Sequence, residues 1–204
     1  MVHGLWMRPW VMGLLSHRLH RCGFAVVPFA YPSVRQPMDR HVERLQALVA
    51  DLEAPVVHFL GHSLGGRVIL RLFQRHPQQR PGRILTLATP LQPSASAAAL
   101  QTTAWGRWFG GCSLAELTGP AAPLPADREV AMLAGDLSAG MGRFITDLPR
   151  PNDGAVAVVE TRHPGLCQHR ILRVSHSGIL LSPAAAASAC RFLRSGRLDS
   201  SGEG

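Results

Sequence analysis

The sequence predicts an α/β fold in which a mainly parallel sheet carries helices on both faces, and three observations point there. Short apolar runs alternate with stretches of helical periodicity along nearly the whole chain, the pattern that strand–helix–strand crossovers require. The apolar run 56–60 passes through Gly61-His62-Ser63-Leu64-Gly65-Gly66 straight into the helix-like segment 67–73, so strand, sharp turn and helix follow in immediate succession. At 204 residues with 46% hydrophobic content, the chain can bury one substantial core and leaves little room for two.

Pro9 with Val11, Leu15, Leu19 and Cys22 predicts a helix opened by proline and closed near Gly23. Residues 24–30 follow as a buried strand. A second helix opens at Pro37 and sets Met38, Val42, Leu45, Val49 and Leu52 on one face, and Ala54-Pro55 stops it before the strand leading to Ser63. Beyond the next helix, 83–88, 129–134 and 170–175 read as strands, and Ser182-Pro183 caps a closing helix that runs to about Leu193. In a sheet wound this way ligands gather at the carboxyl ends of the strands. Residues 91–128 break the rhythm: rich in Ala, Ser, Pro and Gly, they hold Trp105, Trp108 and Phe109 close together and read as a small lid or a connector. His3-Gly4 reads as a strand end with only Met1 and Val2 before it, so that strand is expected to be unusually short or to begin upstream. The chain is read as one domain over 1–194 with a disordered tail at 195–204.

The formal charge of +8 comes from arginine alone, since the sequence has no lysine. The arginines are spread along the chain instead of gathered in a block, which disfavours nucleic acid as a partner and leaves room for peripheral contact with an anionic membrane. No stretch reaches the roughly 18 uninterrupted apolar residues of a membrane span, and 10–15 is short for a signal sequence, so a cytoplasmic location is expected. Cys22, Cys112, Cys167 and Cys190 lack C-x-x-C spacing and read as reduced thiols. His163, Cys167 and His169 lie close together but match no zinc pattern. No metal and no other cofactor is expected.

The chemistry-bearing residues follow from the turn at Ser63. A serine hydroxyl is a poor nucleophile unless it is held where a base can reach it, and a strand-to-helix turn of the form G-x-S-x-G lifts the side chain off the sheet edge. Of the ten histidines, His176 ends an apolar strand and is followed by the small Ser177-Gly178, which suits it as the base. A carboxylate between the two would orient the imidazole. Asp136, directly after a strand, and Asp153, in Asn152-Asp153-Gly154, both qualify, with Asp147 a weaker third choice. Backbone N–H groups must hold the oxyanion, and one of them belongs to the residue after the nucleophile, Leu64. His62 is expected to pack beside Ser63 rather than act on it.

The sequence resembles the α/β-hydrolase superfamily, and within it small bacterial lipase- and esterase-like members. The resemblance lies in His3-Gly4-Leu5-Trp6, Gly61-His62-Ser63-Leu64-Gly65-Gly66, Thr89-Pro90-Leu91, Asn152-Asp153-Gly154-Ala155-Val156 and Ser175-His176, which span most of the chain. It implies that fold, and this chain departs from the family pattern toward a minimal version, with short or missing N-terminal strands and a cap reduced to the stretch 91–128. It also implies that Asp153 is the acid and that Leu5 supplies the second oxyanion N–H, with Trp6, Trp105 and Trp108 near the substrate. The implied activity is cofactor-free hydrolysis of a small-molecule or lipid carboxylic ester through Ser63, His176 and Asp153. An acyltransferase or thioesterase would use the same triad, and a binding protein on a hydrolase scaffold is the non-catalytic alternative.

Overall fold

The computed structural model describes residues 1–103, 108, 111–120, 123–139 and 148–199. Four parallel strands form its sheet in sequential order: β1 (Phe59–His62), β2 (Ile84–Leu87), β3 (Val130–Gly135) and β4 (Gln168–Leu172). The register aligns Phe59, Ile84 and Val130 across the sheet, and Leu60, Leu85 and Ala131 one step along. Because strand side chains alternate between faces, the first row packs on one layer of helices and the second on the other.

One layer consists of α2 (Met38–Ala50) and α3 (Leu64–Arg75), where Val42, Leu45 and Val49 meet Val68, Leu72 and Phe73 over Phe59 and Ile84. The opposite layer consists of α1 (Gly13–Arg21) and α6 (Pro183–Ser195), where Leu15 and Leu19 meet Phe192 and Leu193 over Leu60 and Leu85. A 3-10 turn at Pro9–Met12 precedes α1. Ser182 Oγ accepts the Ala185 N–H at the start of α6, and Gly196 closes that helix in the left-handed conformation. Among the described residues between β2 and β3 are the short helices α4 (Ala95–Gln101) and α5 (Leu114–Thr118).

Three expectations are corrected. Residues 24–30 do not form a strand: Val2 is bridged once to Phe29 and once to Gly61, and no longer ladder forms. Pro28 has no N–H to donate, and among the described residues the segment's strand-like pairing is limited to the Val2–Phe29 bridge and to Met1 N–H to Val27 O and Phe29 N–H to Met1 O. Cys22 and Cys190 are not reduced thiols but a disulfide, their Cα atoms 6.2 Å apart where α1 packs on α6. The chain beyond Ser195 stays packed as far as Asp199. Leu198 is buried, its N–H bonds Gln168 Oε1, and Arg170 reaches Leu198 O and Asp199. Residues 200–204 lie outside the described residues. Among the described residues no helix is long and apolar enough to cross a membrane.

The interior also encloses histidines. Burial lowers the pKa of His3, His41, His58 and His169, and it drives His62 down to about 3 with help from neighbouring His176. Each therefore binds a proton less readily folded than unfolded, where histidine titrates near 6.5. Their stabilising contribution is complete above about pH 6.5 and is lost as pH falls toward the folded values. Fully buried His62 alone gives a slope of about 1.4 kcal/mol per pH unit in that window. Urea midpoints should hold between pH 8 and 7 and drop steadily from pH 6.5 to 4.5. A midpoint that stays flat to pH 5 would contradict this account.

Candidate functional site

Ser63 stands between the last residue of β1 and the first of α3 with φ 53° and ψ −123°. That conformation is costly for a non-glycine residue, on the order of 1–3 kcal/mol, and it is held by strand and helix on either side and by the Ser63 N–H bond to Leu87 O. A Cβ on Gly65 would lie 2.2 Å from Val2 O, so the helix can sit this close to the N-terminal segment only with glycine there.

His176 arrives from the loop after β4. Its Nε2 lies 3.1 Å from Ser63 Oγ and its Nδ1 lies 2.8 Å from Asp153 Oδ2. Asp153 is 1% exposed and occupies a turn that its own carboxylate organises: Oδ1 accepts the N–H groups of Ala155 at 2.9 Å and Val156 at 2.7 Å. Gly154 takes φ 93°, and a Cβ there would meet Ala139 O at 2.5 Å. Burial by itself would raise the Asp153 pKa, but the His176 ring and these N–H donors outweigh it and hold the carboxyl below its ordinary value. The ionised carboxylate accepts from His176 Nδ1–H, which leaves Nε2 with a lone pair directed at the serine hydroxyl. The backbone repeats the link, since His176 N–H bonds Asp153 O at 2.9 Å.

Of the rival carboxylates, Asp136 sits at the end of β3 and bonds Leu172 O through its own N–H, and its buried Oδ1 has no partner. Asp147 lies outside the described residues. His62 binds the His176 backbone instead of Ser63: its Nε2–H donates to His176 O at 2.9 Å, and with a pKa near 3 its ring is neutral. His163 and His169 are occupied singly, by Gly165 N–H and by Thr161 Oγ1. Among the described residues no three His, Cys, Asp or Glu side chains gather as a metal site would need.

The His3–Trp6 segment runs beside the serine. A Cβ on Gly4 would stand 3.1 Å from Ser63 Cβ and 3.0 Å from His62 Nδ1. Tyr31 Oη–H donates to His3 O at 2.7 Å, and Trp6 N–H donates to Ser33 Oγ at 3.0 Å, with Trp6 itself at φ 56°. Two strained non-glycine residues, Ser63 and Trp6, thus flank the same point. The Trp6 N–H is engaged by Ser33. The pins at Tyr31 and Ser33 could not be read from the sequence, which marks them only as polar residues in a proline-flanked loop.

Ser63 and His176 open onto a cavity of about 400 Å³ with largely apolar walls that include Leu5, Trp6, Leu100, Leu114, Leu117 and Val156. Helices α4 and α5 form much of the roof, so Ala97, Leu100, Leu114 and Leu117 cover the site instead of merely connecting strands. Arg67 of α3, buried at 3%, fixes that roof through Glu116, Leu91 O and Pro120 O. Glu160, also buried, accepts the Ala95 N–H at 2.7 Å and the Ala157 N–H at 3.1 Å. The expected aromatic lining is corrected in part. Trp6 lines the cavity, whereas Trp108 is 73% exposed and is not among its walls. Trp105 lies outside the described residues. Aliphatic side chains of α4 and α5 take the expected place of the tryptophans, and the N-cap signal of Ser94 before an alanine-rich run was the one cue to the first of these helices.

A family model for the alpha/beta hydrolase family matches residues 1–195. The chain belongs to that family. This α/β-hydrolase superposes on the lipase BlEst2 of Bacillus licheniformis in its mature form with a TM-score of 0.76 at 19% identity, over 95% of this chain and 89% of that one. A pyrethroid hydrolase from Sphingobium faniae JZ-2 gives 0.66 at 14% identity over 95% of each chain. The esterase EaEST from Exiguobacterium antarcticum gives 0.69 at 11% identity, over 96% and 91%. At such identities the likeness speaks to the fold. No curated protein sequence matches this α/β-hydrolase.

Proposed function

We propose that this α/β-hydrolase cleaves carboxylic esters through a covalent acyl-serine. The observation that carries the reading is the unbroken chain from Ser63 Oγ to His176 to buried Asp153 at the mouth of an apolar cavity. His176 Nε2 takes the hydroxyl proton as Ser63 Oγ bonds the acyl carbon, and the carbonyl oxygen becomes an oxyanion facing the Leu5 and Leu64 N–H groups. The tetrahedral adduct collapses as the alcohol leaves with the proton from His176. Water then enters through the same base, breaks the acyl–Oγ bond and releases the acid. Asp153 keeps Nδ1 protonated throughout. Neutral His62 anchors the His176 backbone without setting a second positive charge beside the imidazolium that forms.

The cavity volume falls toward the low end of the range for ligand sites, and its aliphatic walls suit an acyl group. The substrate is therefore a small-molecule or lipid ester. Among the solved structures of similar fold, those named as a lipase, a pyrethroid hydrolase and an esterase are in keeping with this. Reaction with a fluorophosphonate, followed by intact mass, tests the reading. One adduct on the wild-type protein and none on Ser63→Ala or His176→Ala is the expected result. A folded wild type that takes up no adduct would overturn the mechanism.

A further inference from the structure

A second cleft, of about 460 Å³, adjoins the first: Trp6 and Met7 line both. Arg8, Arg35 and Arg44 line its walls together with Tyr31 and Ser33, and no carboxylate does. Arg44 spends one N–H on Ala30 O at 3.2 Å. Among the described residues the ion pairs all lie elsewhere, and none engages these three guanidinium groups. His3 also lines the cleft, and burial lowers its pKa, so the positive charge comes from the arginines. Three like charges around one concavity repel one another, and an anion that enters relieves that repulsion. The planar guanidinium fork is shaped for the paired oxygens of a phosphate or carboxylate.

We propose that this cleft is a subsite for an anionic group, phosphate or carboxylate, carried by the ester substrate, with Trp6 as the partition between the anion and the scissile carbonyl. The inference rests on the ester-hydrolase reading for its catalytic consequence, though binding of the anion does not depend on catalysis.

Two aryl butyrates that differ only by a para phosphate or a para methoxy group on the leaving phenol would be compared on wild type and on the Arg8→Ala/Arg35→Ala double variant. Wild type is expected to favour the phosphorylated ester about tenfold in kcat/KM, mainly through KM, and to lose that preference in 0.5 M NaCl. The double variant should lose it at low salt while its kcat/KM for the methoxy ester stays within twofold. Phenyl phosphate, followed by tryptophan fluorescence, reads binding alone and should titrate the wild type more tightly than the variant. Arg8→Gln and Arg35→Gln singly give the same readout if the double variant fails to fold.

Equal treatment of the two esters by the wild type, or an equal loss on both esters in a folded variant, overturns the subsite. Phosphatidylglycerol vesicles that bind in the absence of any phenyl phosphate binding also overturn it and assign the arginines to a membrane-facing surface. If neither ester is hydrolysed but phenyl phosphate binds through the arginines, the hydrolase reading fails and the anion site stands. Absence of both activities and of binding removes both.

Discussion

Ser63→Ala is expected to lower kcat for ester hydrolysis about a millionfold, the scale at which removal of a serine nucleophile disables a triad, while leaving the melting temperature nearly unchanged. The reason lies in the geometry. Ser63 Oγ makes one described hydrogen bond, to His176 Nε2 at 3.1 Å, and the backbone at φ 53° is fixed by β1 and α3 instead of by the hydroxyl. Asp153→Asn isolates the next link. The amide oxygen can still accept from Ala155 and Val156, so the turn survives, but an amide presented to His176 Nδ1 favours the tautomer with its proton on Nε2. A loss of about 10⁴ in kcat with KM little changed is expected. Steady-state kinetics on a chromogenic ester, set beside circular dichroism melts, check both. Retention of more than a tenth of wild-type kcat in folded Asp153→Asn would remove Asp153 from the mechanism.

The second large effect belongs to the Cys22–Cys190 disulfide. It closes a loop with a sequence separation of 168 residues, for which the chain-entropy model gives about 5 kcal/mol, with 2–4 kcal/mol more typical in practice. Cys22→Ser, or reduction, should therefore lower the melting temperature by roughly 5–15 °C for a domain of this size. The consequence for activity is indirect. α1 follows the His3–Trp6 segment and α6 follows the His176 loop, so the bond ties the supports of two parts of the site together. Thiol titration of the unfolded protein should give two reactive groups, Cys112 and Cys167, and four after reduction. A count of four in protein freshly isolated from its own cells would identify a reducing compartment, as the cysteine spacing had suggested. A count of two would identify an oxidising one.

These two results sit at opposite ends of what the sequence makes legible. Ser63 and His176 could be read because each stands in a local motif whose surroundings, a strand before and a turn or helix after, are written in adjacent residues, whereas Asp153 was set apart from Asp136 only by the family resemblance. The parallel strands at 59–62, 84–87 and 130–135 announce themselves by being buried on both faces, whereas the strand expected at 170–175 lies at 168–172, where Gln168, His169 and Arg170 give no apolar signal. The disulfide left no such trace, since its halves meet only because two helices far apart in the chain share one face of the sheet. Residues 24–30 misled for the converse reason: their composition suits a strand, but a strand needs a paired neighbour, and the pairing here is a single bridge from Val2 to Phe29. The roof helices α4 and α5 lack a strong apolar period, and what holds them is the long-range reach of Arg67 and Glu160. Leu198 looked like part of a polar tail because its burial depends on Gln168 and Arg170, which come thirty and twenty-eight positions earlier.

That last packing has a consequence for life in a crowded solution. β4 is one of the two outer strands of the sheet, and a bare outer strand is a template on which another chain can add itself. Gly196 and Leu198 fold back onto the side chains of Gln168 and Arg170 at the start of that strand, so a chain shortened before Gly196 is expected to expose that end of the strand and to self-associate more readily at high concentration.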